Sequence, residues 1–418
     1  MRYVIIFFFI FCKSFSQLSS CKEFELTELR VKRPQVEFPD HQVEFGFLKK
    51  LPIKTMERGN SIQEYDRNGN LISTKNIAKD YYQSTNVCQY KNGILTESRS
   101  ISIADKTRIE SYNEESMRRG NEEMKQNGTG TAAIMDPQST ESVYTAVLNN
   151  KNQVVSYKKE KIEINGSNRK IIGSDTGEFI YKDGNISEAK YRGITEQYFY
   201  KNGLLSEVKR TEKKQWLFER RNTNQYIYDS RKNLIAISYS TEDYQDGKYQ
   251  SGNKGQKDSA TYDNKNRLIR IGSKKNFIPY KYDAGNNITE ISEYSNNKLQ
   301  SQKGYVYDKN LMVKSSESKI PITENSDIYF KDYMYKNGLL AEVKNYTVKY
   351  PYGHKTVYQY NDKKQLVNIT DYRSKFKDGK LLENEFEKGS ETNFIYEGKS
   401  VIIKGNRTIS QSGKYELY

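Results

Sequence analysis

The side chains that could do chemistry are few, and their spacing does not favour it. His41 and His354 are the only histidines. Neither has a nucleophile or an orienting carboxylate beside it in a recognisable motif. The cysteines Cys12, Cys21 and Cys88 show no close spacing with each other or with the histidines, so no zinc site is indicated. Glycine loops of the Walker or dinucleotide type are absent from the sequence. Asp243-Tyr-Gln-Asp246-Gly247 starts like a calcium loop but lacks the full acidic run ending in a bidentate Glu, and it reads as a hairpin tip. The only tryptophan, Trp216, reads as a packed strand residue ahead of a sugar-stacking platform. The expectation is therefore no catalytic residue, no metal and no cofactor. Asp66, Asp229, Asp263 and Asp283 recur at one place in a repeated pattern, where a carboxylate can accept hydrogen bonds from loop amides; they read as turn caps.

The chain opens with Arg2 ahead of an apolar run from Tyr3 to Cys12 and small residues at Ser14 and Ser16. That is the anatomy of a secretory signal over residues 1–16, and it predicts a secreted or periplasmic, cell-envelope protein. Leu18-Ser-Ser-Cys21 also fits a lipobox, which leaves a lipid anchor on Cys21 as the alternative. In an oxidising compartment Cys21 and Cys88 could form a disulfide. No later stretch approaches the roughly 20 apolar residues that span a bilayer as a helix. The net charge is +15, but lysines alternate with acids, as in Lys158-Lys-Glu-Lys161. This suits a solvated surface better than a nucleic-acid groove. With 35 Tyr and 17 Phe, aromatic rings supply apolar area that aliphatic residues usually provide.

YKNGLLSEVK (Tyr200–Lys209) and YKNGLLAEVK (Tyr335–Lys344) are nearly identical, and looser copies of one pattern fill most of the chain. The short form joins Tyr90 with Gly93, Tyr181 with Gly184, Tyr200 with Asn202-Gly203 and Leu205, and Tyr335 with Gly338 and Leu340. Asn-Gly suits a two-residue type I′ turn, which needs positive φ at both positions. The long form contains Tyr65, Gly69 and Leu71; Tyr228, Asp229 and Leu234; Tyr262, Asp263 and Leu268; Tyr282, Asp283 and Ile288; and Tyr360 with Leu366. A three-residue loop with a left-handed third residue closes it. Tyr307-Asp308 begins a looser copy. In both forms the tyrosine is predicted to face the aliphatic residue across the strands.

The predicted fold is all-β: tandem antiparallel hairpins in an elongated, twisted or spiralling single sheet, open rather than a closed shell. Residues 17–58 read as an N-terminal cap and 59–418 as the hairpin array. Within the array, 109–140 reads as an insertion or long loop in which any short helix would be broken at Gly120.

Tyr226-Ile-Tyr228-Asp229, Tyr280-Lys-Tyr282-Asp283 and Tyr305-Val-Tyr307-Asp308 resemble the Tyr-x-Tyr-Asp core of YD repeats, found in RHS and teneurin-like proteins. The YKNGLL units also resemble MORN-like repeats of antitoxin-type proteins. The YD resemblance implies hairpins strung into a curved sheet that encloses a toxin or displays an adhesive surface. Here the copies run almost to the end of the sequence and leave no room for a separate toxin domain. The function expected is that of an exported, non-enzymatic protein presenting an extended Tyr/Lys-rich β surface to a protein or glycan partner at the bacterial envelope. Polysaccharide or anionic-polymer binding is one alternative, and a fragment-like relative of RHS shell or immunity proteins is another. Gly203→Val tests the turn assignment. A left-handed residue with a Cβ costs about 1–2 kcal/mol, and more when β-branched, so the melting temperature should fall; an unchanged value would refute the type I′ turn.

Overall fold

A computed structural model describes residues 26, 29–44, 52–76, 82–129, 131–135, 138–213, 218–319, 328–348, 353–377, 380–405 and 413–418. The signal (1–16), Cys21 and Trp216 lie outside them. The chain divides into two compact units, one including residues 48–174 and 414–418, the other residues 25–47 and 175–413.

The first unit holds β1 (Ile53–Arg58), β2 (Ser61–Tyr65), β3 (Leu71–Asn76), β4 (Tyr82–Lys91), β5 (Ile94–Ala104), β6 (Ser139–Leu148) and β7 (Val154–Asn165), each pairing with the next. Its last strand is the C-terminal β26 (Gly413–Leu417). β26 lies against the free edge of β1, with Met56 opposite Tyr415 and Glu57 opposite Lys414. Met56 and Tyr415 are buried there, and Arg58 Nε donates to the Tyr415 hydroxyl at 2.8 Å. Tyr418 donates its hydroxyl to the carbonyl of Tyr65. Among the described residues the 26 strands belong to one antiparallel sheet, and its first strand is paired on both sides.

The expected open array is thereby corrected: the strand that would be its free first edge is paired with the last strand, so the sheet closes on itself, and the open curved repeat sheet implied by the RHS-type resemblance does not describe it. The physical reason is that an unpaired β1 would expose a row of amide and carbonyl groups, and the C-terminal strand satisfies them. Strand β1 itself falls within the segment read as an N-terminal cap.

In the second unit, strands run in sequence from β8 (Asn168–Lys182), which begins in the first unit, through β9 (Asn185–Tyr191), β10 (Ile194–Lys201), β11 (Leu204–Lys213), β12 (Phe218–Tyr228), β13 (Leu234–Gln245) and β14 (Lys248–Tyr262) to β25 (Ser400–Gly405). The register pairs Tyr200 with Leu205, Tyr228 with Leu234, Tyr282 with Ile288 and Tyr335 with Leu340. At each of these pairs the register shifts by one residue just before the tyrosine, so a β-bulge recurs at the turn end. Asn202 and Gly203 have φ of 53° and 75°, whereas the long loops place one residue in the left-handed region, such as Gly69 at 79° or Asn286 at 70°. Asp229 Oδ1 accepts from the amides of Arg231 and Asn233 at 2.9 and 2.8 Å, and Asp66, Asp263 and Asp283 cap their loops likewise. Asp308 differs. Lys309 and Asn310 form a two-residue turn, and Asp308 is a strand residue opposite Leu311.

Four of the repeat tyrosines also fasten their hairpin to the one before it. Tyr228 donates to the carbonyl of Leu205 at 2.9 Å, Tyr262 to Leu234 at 3.2 Å, Tyr282 to Leu268 at 2.8 Å and Tyr335 to Met312 at 3.0 Å. A polar tip and an apolar ring thus act in one residue: the ring packs on the aliphatic partner while the hydroxyl satisfies a carbonyl.

One face of this unit is covered. Val208, Tyr226, Leu234, Ile237, Leu268 and Tyr280 form a buried cluster on it, and Val31 of the N-terminal segment packs into that cluster. Each such side chain contributes about 1.5–3 kcal/mol when fully buried. Further along, Phe38 meets Tyr305 at 6.1 Å between ring centroids, Lys331 Nζ donates to Asp40 at 2.7 Å and Tyr358 donates to Glu44 at 2.7 Å. Asp40 and Glu44 belong to a short helix, α1 (Pro39–Glu44). Residues 29–44 therefore lie across the sheet face.

Between β5 and β6 the first unit carries α2 (Lys106–Asn127), which runs unbroken through Gly120. A Cβ at Gly120 would sit 3.2 Å from the Thr131 backbone, so the glycine admits the chain as it returns along the helix. Asn113 holds both the amide and the carbonyl of Met135 at 2.8 and 2.9 Å, and Ser116 accepts from the Ala133 amide at 2.9 Å. The glycine that suggested a break is a packing contact.

Burial pushes the tyrosine hydroxyls of this framework up, those of Tyr65, Tyr228, Tyr335 and Tyr396 to about 12. The folded state then holds protons more tightly than the unfolded chain, whose tyrosines titrate near about 10. The corresponding stability is fully present below about pH 10 and lost as the pH rises toward about 12. The tyrosine-linked part of the melting temperature should therefore be flat through neutral pH and fall steeply between about pH 10 and 12, with the fall blunted in Tyr228→Phe. A decline complete below about pH 9.5 would contradict this linkage.

Candidate binding site

The covered face of the second unit contains a cleft of about 460 Å³ over strands β10 to β14, bounded on the other side by Leu26 and Leu29. The register builds its floor in rows. One row runs Tyr198, Val208, Asn224, Tyr239 and Gly255 across five strands. The next runs Glu196, Arg210, Asn222 and Thr241, and the one beyond it Ile194, Glu212, Arg220 and Asp243. These positions are in phase with the buried Val208 and Tyr226, so polar side chains occupy sites that are apolar elsewhere on the same face.

The side chains are bonded both within and between rows. Tyr198 donates its hydroxyl to Glu196 at 2.5 Å, and burial together with that carboxylate pushes the hydroxyl far above the usual tyrosine range. Arg220 grips Asp243 with two bonds, Nε to Oδ1 at 2.7 Å and Nη2 to Oδ2 at 2.9 Å. Thr241 donates to Asn222 at 2.8 Å. The Tyr239 ring lies over Gly255, where a Cβ would come within 3.0 Å of it, and Lys257 stands 5.9 Å from the ring centroid. Arg210 is held most loosely. Its Nη1 is 3.7 Å from Glu196, and its Nε is buried with no hydrogen-bond partner.

On the open face, aromatic rings pair across strands and draw in neighbouring cations. Phe330 stacks on Tyr346 at 5.2 Å with Lys314 over both rings, and Phe277 stacks on Tyr294 at 4.6 Å with Arg270 at 3.9 Å. These cations are already engaged by neighbouring rings. Among the described residues no group of His, Cys, Asp and Glu could hold a metal ion.

Of the residues singled out in the sequence, Leu205 and Tyr226 line the cleft. The other repeat tyrosines, caps and glycines build the turn ends, and Tyr228, Tyr262, Tyr282 and Tyr335 add the hydrogen bonds between hairpins. Cys88 is disulfide-bonded, and the Cys21 half of the expected pair lies outside the described residues. Glu196, Arg210, Asn222 and Tyr239 were missed. For Asn222 the signal is the spacing Arg220-x-Asn222-x-Asn224-x-Tyr226, which puts three polar side chains on the face of a buried tyrosine.

No family model and no curated protein matches the chain. Among solved structures, similarity is found to a porin-like protein from Bacteroides uniformis, at 10% identity and a TM-score of 0.19, covering 62% of this chain and 94% of that one. A putative 6-phosphogluconolactonase from the same species is similar at 9% identity and a TM-score of 0.13, covering 73% and 96%. Both scores are too low to bear on fold or function.

Proposed function

We propose that this is an exported, non-enzymatic binding protein of the bacterial envelope whose cleft over β10–β14 takes a glycan. The observation that carries the reading is the cleft floor: two tyrosine rings, Tyr198 and Tyr239, beside rows of amide, hydroxyl and charged groups fixed by strand register. Sugars present apolar C–H faces and a dense array of hydroxyls, and a mostly pre-formed pocket with convergent polar groups suits them. Because Lys314 and Arg270 on the open face are engaged by neighbouring rings, the cleft is favoured over those two aromatic clusters.

The leading apolar segment supports export, and the open face supports an aqueous setting. Among the described residues no helix is long and apolar enough to cross a membrane, which leaves strands to be judged separately. On the open face β11 shows Glu207, Lys209, Thr211 and Lys213, and β12 shows Glu219, Arg221, Thr223 and Gln225. A lysine or arginine facing lipid at the bilayer midplane costs a strand about 2–4 kcal/mol. Consecutive strands with two or more charges each on the open face are suited to water.

A glycan array probed with the purified chain at about 0.05 and 0.5 M salt tests the proposal. Binding to a discrete set of glycans is expected, weaker at the higher salt because charged groups line the cleft. Capture of no glycan would refute it, and release of new reducing ends from a bound glycan would mark an enzyme instead.

A further inference from the structure

We infer that the cleft selects an acidic sugar, with Arg210 receiving the carboxylate of a uronic acid residue; this rests on the glycan reading above. The three cations of the cleft are not equivalent. Arg220 is committed to Asp243 by two short bonds. Lys257 stands beside the Tyr239 ring. Arg210 has a single long contact, 3.7 Å to Glu196, and that carboxylate already accepts the Tyr198 hydroxyl at 2.5 Å. Its Nε lies buried without an acceptor while the side chain remains 37% exposed. A small rotation of a guanidinium held this loosely presents Nε and one Nη as a fork, the geometry that matches a planar carboxylate.

The surroundings narrow the ligand further. Arg210 lies directly opposite Glu196 on one strand and Asn222 on the other, with Glu212 two residues along its own strand. The two carboxylates oppose a highly charged anion such as a phosphate dianion, and they accept bonds from hydroxyl groups. Asn222, Asn224 and the Tyr239 ring add further hydrogen-bonding groups and an apolar surface. One negative charge among several hydroxyls, on a ring with an apolar face, describes a hexuronate within a saccharide.

The test is calorimetric titration of the full chain with a galacturonic acid trisaccharide, its neutral galactose counterpart and a sulfated galactose trisaccharide. The uronate should bind at least about tenfold more tightly than either of the others, a difference of about 1.4 kcal/mol. Arg210→Gln should abolish that preference while leaving the weaker neutral binding in place. Arg210→Lys, which keeps the charge without the fork, should also lose most of it, and it carries the comparison should the glutamine variant fail to fold. Equal binding of uronate and neutral saccharide, tighter binding of the sulfated one, or an unchanged preference in the variants would overturn the assignment while leaving glycan binding intact. No binding by any of the three, with no hit on the wider array, would remove the glycan reading itself.

Discussion

The structure depends on one two-part contact that recurs at the hairpin ends of Tyr228, Tyr262, Tyr282, Tyr335 and Tyr396. The ring faces an aliphatic residue across the turn, and the hydroxyl reaches back to a carbonyl of the preceding hairpin, as Tyr228 does to Leu205 and Tyr282 to Leu268. The first contact sets register within a hairpin and the second sets the spacing between hairpins. A chain poor in aliphatic residues can be ordered this way because the same side chain supplies apolar area and a directed hydrogen bond. The Asp caps and left-handed turn residues serve that contact by holding the tyrosine at a fixed place on its strand.

A regular ladder at the turn ends leaves the strand middles free to vary. Val208, Tyr226 and Ile237 build a core under the N-terminal segment, while the neighbouring rows through Arg210 and Arg220 build a charged and amide-lined floor. Both sets point to the covered face. The N-terminal segment then has two roles: Val31 completes the core, and Leu26 and Leu29 wall the cleft. Frame and site are thus largely separable, and Leu205, which accepts from Tyr228 and also lines the cleft, is where they meet.

This division explains what could be read in the sequence. Turn chemistry is local: positive φ at Asn202 and Gly203 follows from residue type, and turn length places Tyr200 opposite Leu205. Closure is not local. Tyr415 meets Met56 across nearly the whole chain, and the short strand Gly413–Leu417 carries no turn signature that names a partner. The site was obscured by the recurring bulge, which shifts the in-and-out alternation by one residue before each tyrosine. Leu205 and Val208 therefore fall out of simple alternation, which hides the alignment of Arg210 and Glu212 with buried Val208. Gly120 misled for a related reason: its helical cost was visible, while the Thr131 backbone that requires it lies on another segment.

The topology is tested most directly by amide hydrogen exchange of Ile53–Arg58 in the full chain. If β1 is enclosed between β2 and β26, the amides on both of its edges are protected, and removal of residues 413–418 deprotects those directed at β26 while those directed at β2 persist. Rapid exchange along one edge of β1 in the intact protein would show a free edge and contradict the closed sheet.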